Sequence, residues 1–140
     1  MSLTIIEGNV SLKNCKNLVR LKGITEIKGC LDLSNCPNFK DLGELEKVGR
    51  YLDLRGTLIE DLGNLKEVGG SIFLDNNTLI EDLGNLEKVS GYLELNNTKI
   101  KALGTLKEVG RHIYLSKNSK ITKEYIKKYK PELLSKCKWQ

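Results

Sequence analysis

Six times along this chain two apolar residues stand two apart, with a polar or aromatic residue between them: Val10/Leu12, Leu31/Leu33, Leu52/Leu54, Ile72/Leu74, Leu93/Leu95 and Ile113/Leu115. Period-2 alternation over so short a run predicts a strand with one buried face. Three residues after each pair comes a small or amide residue, Cys15, Cys36, Thr57, Asn77, Thr98 or Asn118, and then an apolar one, Leu18, Phe39, Ile59, Ile80, Ile100 or Ile121. Beyond it apolar positions recur every third residue, as Leu62, Leu65 and Val68 in one unit and Leu83, Leu86 and Val89 in the next. That spacing over so few residues suits an extended or 3₁₀ segment better than an α-helix. Gly follows within two residues, at Gly29, Gly49, Gly69 and Gly110, where the chain is expected to turn back into the strand.

The pattern repeats every 20–21 residues, most plainly in LGNLKEVGGSIFLDNNTLIED (62–82) and its neighbours on either side. Such a period predicts a solenoid, in which no unit buries its apolar face alone and stacking makes the core continuous. The length follows a local rule. One residue separates Thr57 or Thr98 from the next core position, whereas two follow Cys15, Cys36, Asn77 and Asn118. This column of small residues is placed to hydrogen-bond the backbone of the turn, satisfying groups buried between coils.

The run L-x-L-x-x-(N/C/T)-x-(x)-I, with Leu93-x-Leu95-x-x-Thr98-x-Ile100 a clear instance, resembles the signature of the leucine-rich repeat family. The entry Ile27-x-Gly29-x-Leu31-x-Leu33 is similar to the short coils of receptor L-type domains. The resemblance spans Leu3 to Ile121, and it departs from the family where Leu-Gly-x-Leu-x-x-Val replaces the longer helical back. It implies a mainly β, right-handed leucine-rich repeat solenoid over residues 1–121, with about six coils. One six-stranded parallel sheet, roughly 25 Å long at ~4.8 Å per strand, would form the front and an extended or 3₁₀ segment the back. Residues 122–140 read as a helical cap with a basic tail: Ile126, Tyr129, Leu133 and Leu134 are placed to cover the last coil, and Pro131 breaks or restarts the helix. No comparable segment precedes Leu3, so the first strand (9–13) is expected to offer an open edge, available for pairing two chains as a homodimer.

Composition and charge change this picture little. At 140 residues and 39% apolar content the chain makes one aliphatic-cored domain. It has no leader-like opening and no membrane-length apolar run, which fits a cytoplasmic protein. From Lys117 onward eight lysines face Glu124 and Glu132, a net +6 that leaves the rest of the chain at −1 of the total +5. A basic tail of this kind suggests nucleic acid or an anionic surface as an alternative partner, although a solvated helix face is the plainer reading.

The strands' outward positions carry the candidate function, since this is the surface on which the resembled family binds its partners. Tyr51, Phe73, Tyr92 and Tyr114 stand there as anchors, interleaved with Asp53, Arg55, Asp75 and Glu94 as polar selectors, and His112 lies among them. Asp32 adds to the acidic character, and such a surface favours a basic or neutral protein segment over nucleic acid. The bland reading is an ordinary strand face, where cross-strand packing favours aromatics. His112 is the sole His, and a triad with Ser116 and Asp75 or Glu94 would be spread over an open sheet without an oxyanion hole, so no catalysis is expected. Cys15 and Cys36 should be interior neighbours, a disulfide being geometrically allowed but disfavoured in a reducing compartment. Cys30 faces out and Cys137 sits in the tail, with no metal-binding spacing. No cofactor or metal is expected. The sequence thus predicts a non-catalytic protein-recognition module, an adaptor or inhibitor.

Overall fold

The computed structural model describes residues 3–140. The chain forms a mainly β solenoid of six coils, but with two parallel sheets where one was expected. The front sheet comprises β2 (Val10–Ser11), β4 (Leu31–Asp32), β6 (Leu52–Asp53), β8 (Ile72–Phe73), β10 (Leu93–Glu94), β12 (Ile113–Leu115) and β13 (Cys137–Trp139), paired in that order. The back sheet comprises β1 (Thr4–Ile6), β3 (Ile24–Ile27), β5 (Lys47–Val48), β7 (Glu67–Val68), β9 (Lys88–Val89) and β11 (Glu108–Val109). The apolar spacing of three does not mark a 3₁₀ helix. Each Leu-Gly-x-Leu closes a single tight turn, Leu65 N–H donating to the Leu62 carbonyl at 3.1 Å and Leu86 to Leu83 at 3.2 Å. The Lys/Glu-Val pair that follows is extended and hydrogen-bonds its equivalents in neighbouring coils. Between the sheets the Leu, Ile and Val positions of the inner coils are fully buried, joined by Phe39.

The turn column behaves as its residue types dictate, and the bonds of Thr57, Thr98 and Asn77 match the length rule. Thr57 and Thr98 hydroxyls each donate back to the carbonyl three residues earlier at 2.8 Å. The Asn77 Oδ1 instead accepts forward, from Leu79 N–H at 3.0 Å and Ile80 N–H at 3.2 Å. It thereby holds the extra residue in place. The Cys36 thiol donates to the Leu12 carbonyl of the preceding coil at 3.0 Å, and all four cysteines are free thiols.

The glycines before the strands have a different role from the one expected. Gly49 and Gly69 lack positive φ; a Cβ on either would collide with the carbonyl of the coil beneath, Lys28 or Gly49. They permit close stacking rather than turning. Left-handed backbone occurs elsewhere, just after the first five front strands at Asn14, Asn35, Gly56, Asn76 and Asn97, and at turn glycines such as Gly43, Gly63, Gly84 and Gly104. Asn and Gly are the residues that tolerate it.

Opposite charges alternate along the outer face of the back sheet. Successive coils read Glu46-Lys47, Lys66-Glu67, Glu87-Lys88 and Lys107-Glu108. The register aligns Lys47 with Glu67, Glu67 with Lys88 and Lys88 with Glu108. Ion pairs result at 3.3 Å (Lys66–Glu46), 3.9 Å (Lys47–Glu67), 3.7 Å (Lys107–Glu87) and 3.8 Å (Lys88–Glu108).

The two ends differ. At the first coil β1 and β2 are sheet edges, Leu3 and Ile5 are 54% and 52% exposed, and Ile6, Val10 and Leu12 are only half-buried. At the other end α1 (Lys123–Tyr129) is capped by Thr122, whose hydroxyl accepts from Tyr125 N–H at 3.1 Å, and a 3₁₀ turn follows over Pro131–Lys136. Ile126 and Leu133 are buried and Leu134 is half-buried. Tyr129 does not join them, being 56% exposed. Tyr125 takes the covering position, and its hydroxyl accepts from Leu103 N–H at 3.0 Å. The last residues are not a loose tail. β13 extends the front sheet, Cys137 aligning with Ile113 and Trp139 with Leu115, and the Trp139 indole N–H donates to the Ile121 carbonyl at 2.8 Å. Burial pushes the Cys137 thiol up to about 11.

Candidate functional site

Side chains one residue inward from each core position alternate to the outer face of the front sheet, where strand register sets their neighbours. Asp53 aligns with Phe73, Phe73 with Glu94, Glu94 with Tyr114 and Tyr114 with Lys138. The next column toward the strand start holds Tyr51, Ser71, Tyr92 and His112.

The aromatic residues pack on one another across the strands. Tyr92 and Tyr114 stack with centroids 5.7 Å apart, and His112 lies 6.1 Å from Tyr92 and 5.9 Å from Tyr114. Tyr51 meets Phe73 edge-on at 6.2 Å. Phe73, Tyr92 and Tyr114, together with Ser71, Glu94 and Gln140, line an open hollow of about 550 Å³. Ser71 steadies one wall, its hydroxyl accepting from Tyr92 N–H at 2.9 Å.

The charged residues separate into two kinds. Asp53 does not serve as an exposed selector, because only 5% of it is accessible. Its carboxylate accepts from Arg55 three times, from the backbone N–H at 3.1 Å, Nε at 3.0 Å and Nη2 at 2.6 Å. This fork holds the Arg55 guanidinium 5.1 Å from the Phe73 centroid and raises its pKa through the hydrogen bonds to Asp53. Asp32 is likewise occupied locally, accepting from the Ser34 N–H and hydroxyl. Glu94 and Asp75 are different. Among the described residues neither forms an ion pair, and Asp75 Oδ1 is buried without a hydrogen-bond partner. Burial raises the Glu94 carboxyl above its ordinary range, Asp75 adds to the shift and Arg55 opposes it. Tyr51 is also raised, by burial first and then by Asp32.

Of the sequence-predicted residues, the hollow therefore gathers Phe73, Tyr92, Glu94 and Tyr114. Tyr51, Arg55, Asp75 and His112 stand around it, and Asp53 lies beneath as a support. His112 Nδ1 is buried with no hydrogen-bond partner, so the ring acts as packing between tyrosines. Ser71 and Gln140 were not singled out. Gln140 is brought in by β13, whose signal was the Cys137-x-Trp139 alternation. Among the described residues no group of three or more His, Cys, Asp or Glu could hold a metal ion, and no helix is long and apolar enough to cross a membrane. No family model, curated protein or solved structure matches the chain.

Proposed function

We propose that this chain is a non-catalytic recognition module of the leucine-rich repeat type, an adaptor or inhibitor that binds a protein partner across the front sheet. The observation that carries the reading is the aromatic hollow. Three rings and one half-buried carboxylate are grouped on an open sheet face, whereas the back sheet carries self-satisfied Lys–Glu pairs. Rigid aromatic side chains supply contact area at low conformational cost, which is why they dominate binding hot spots. The 20–21-residue period and the L-x-L-x-x-(N/C/T) signature support the family assignment.

The test is capture from native extract at low and high salt, comparing wild type with a Tyr51→Ala/Tyr92→Ala/Tyr114→Ala variant of unchanged melting temperature. A partner retained at high salt by wild type and lost by the variant supports the reading. Capture indifferent to these tyrosines that vanishes at high salt would transfer it to the lysines of the C-terminal segment, as nucleic-acid or anionic-surface binding. A homodimer through the first coil is a second reading, favoured by the exposure of Leu3 and Ile5 at two sheet edges. It predicts a dimer in sedimentation that Ile5→Lys dissociates.

A further inference from the structure

We propose that the hollow between Phe73, Tyr92 and Tyr114 receives a cationic side chain, a lysine ammonium or arginine guanidinium, from the partner segment, with Glu94 as its counter-ion. The inference rests on the recognition reading above and specifies the chemistry of its central contact.

Charge complementarity is the first argument. Glu94 is the one charged side chain in the wall, and among the described residues it has no ionic partner. A desolvated carboxylate without one is costly, and an apolar occupant would make the cost larger by excluding the remaining water. A cation offsets that cost, and Asp75, two residues beyond Phe73 on the same face with its Oδ1 unpartnered, adds negative potential at Glu94. An anionic occupant is disfavoured for the same reason.

The rings supply the second argument. Aromatic faces attract cations through their quadrupole, most strongly where several rings surround a partly desolvated charge. Two of the rings here already do so within the chain, Arg55 lying over Phe73 at 5.1 Å and Arg111 over Tyr92 at 5.6 Å. Neither arginine belongs to the wall of the hollow, and the Arg55 guanidinium is held aside by its two bonds to the Asp53 carboxylate. The space between the rings is left for a cation from outside. Its volume of about 550 Å³ lies within the range of small-ligand sites, roughly 300–1,000 Å³. Because it is open to solvent, an isolated cation would bind weakly, and the flanking strand face would supply the remainder for a peptide-borne one.

The probes are Nα-acetyl-lysine methylamide, Nα-acetyl-arginine methylamide and the neutral Nα-acetyl-norleucine methylamide, each titrated into the ¹⁵N-labelled full chain. Lysine and arginine probes should give saturable shifts at the amides of Phe73, Tyr92, Glu94 and Tyr114, with norleucine binding at least several-fold more weakly. Glu94→Gln, isosteric and outward-facing, should weaken the cationic probes about 3- to 10-fold, as expected for loss of a partly screened charge pair, while the melting curve shows it folded. Norleucine binding as well as lysine, shifts mapping to the back sheet, or no effect of Glu94→Gln would each overturn the proposal. Tyrosine-dependent partner capture alongside a silent cation titration would sink this inference alone. Tyrosine-independent capture would sink the recognition reading beneath it.

Discussion

Exchanging Lys66 and Glu67 (Lys66→Glu/Glu67→Lys) keeps composition and net charge and inverts one rung of the back sheet's charge ladder. Lys66 sits 3.3 Å from Glu46, and Glu67 sits 3.9 Å from Lys47 and in register with Lys88. After the exchange a glutamate faces Glu46 and Glu87, and a lysine faces Lys47 and Lys88. Two ion pairs are lost and as many as four like-charge contacts appear. All these side chains are about half exposed, so each lost pair contributes roughly 0.2–1 kcal/mol, and cross-strand repulsion costs a similar amount. The variant should therefore be less stable by about 1–2 kcal/mol, measured by urea unfolding at low ionic strength with an unchanged m value. At about 1 M salt, where the Debye length is ~3 Å, most of the difference should disappear. Inverting all four rungs together (46/47, 66/67, 87/88 and 107/108) should restore most of the stability, because the four rungs again oppose one another in sign and one like-charge contact is left, where the glutamate at 47 meets Glu26. A single-rung exchange that costs nothing, or a loss that persists in high salt, would refute the ladder as a stabilising and register-setting feature.

Other expectations follow from single sites. Asn76→Ala should cost about 1 kcal/mol in chemical denaturation because the residue has φ of 65°, while Asn76→Gly should be nearly neutral; equal losses would contradict the backbone explanation. With its thiol raised to about 11 by burial, Cys137 should resist alkylation near about pH 8 under conditions that label the half-buried Cys30. Trp139→Ala should remove the bond to the Ile121 carbonyl, lower stability by on the order of 2–3 kcal/mol and make Cys137 reactive. Glu94 has a raised carboxyl pKa, so the folded state holds its proton more tightly than the unfolded one. Its contribution is most favourable below the ordinary value of 4.5 and is lost as pH rises through the raised value. Glu94→Gln should flatten that part of the stability–pH curve, and a curve identical to wild type would contradict the assignment.

Much of this architecture was legible because the period and the alternation act on the same residues. Ile72 and Leu74 belong to the repeat, and strand geometry alone places Phe73 outward. The turn column was also readable, since Thr and Asn have few ways to satisfy a buried turn. The second sheet was not, because a back strand such as Lys88–Val89 brings one apolar residue, three positions after Leu86, and no apolar pair two apart marks it as extended. What marks them is charge order between coils, Glu-Lys against Lys-Glu, which becomes visible only when successive repeats are compared. The state of Asp53 was hidden for a different reason. An outward position in a strand reads as exposed, but Arg55, also outward and two residues on, folds over it. Lysine density hid β13, although Cys137 and Trp139 keep the period of two.

The most direct measurement of the central claim is the footprint of a captured partner, read by hydrogen–deuterium exchange of the free and bound chain. The recognition account predicts slowed exchange along the front strands from Tyr51 to Tyr114 and no change on the back sheet. Protection confined to the back sheet, or to the lysine-bearing segment from Lys123 to Lys138, would contradict it.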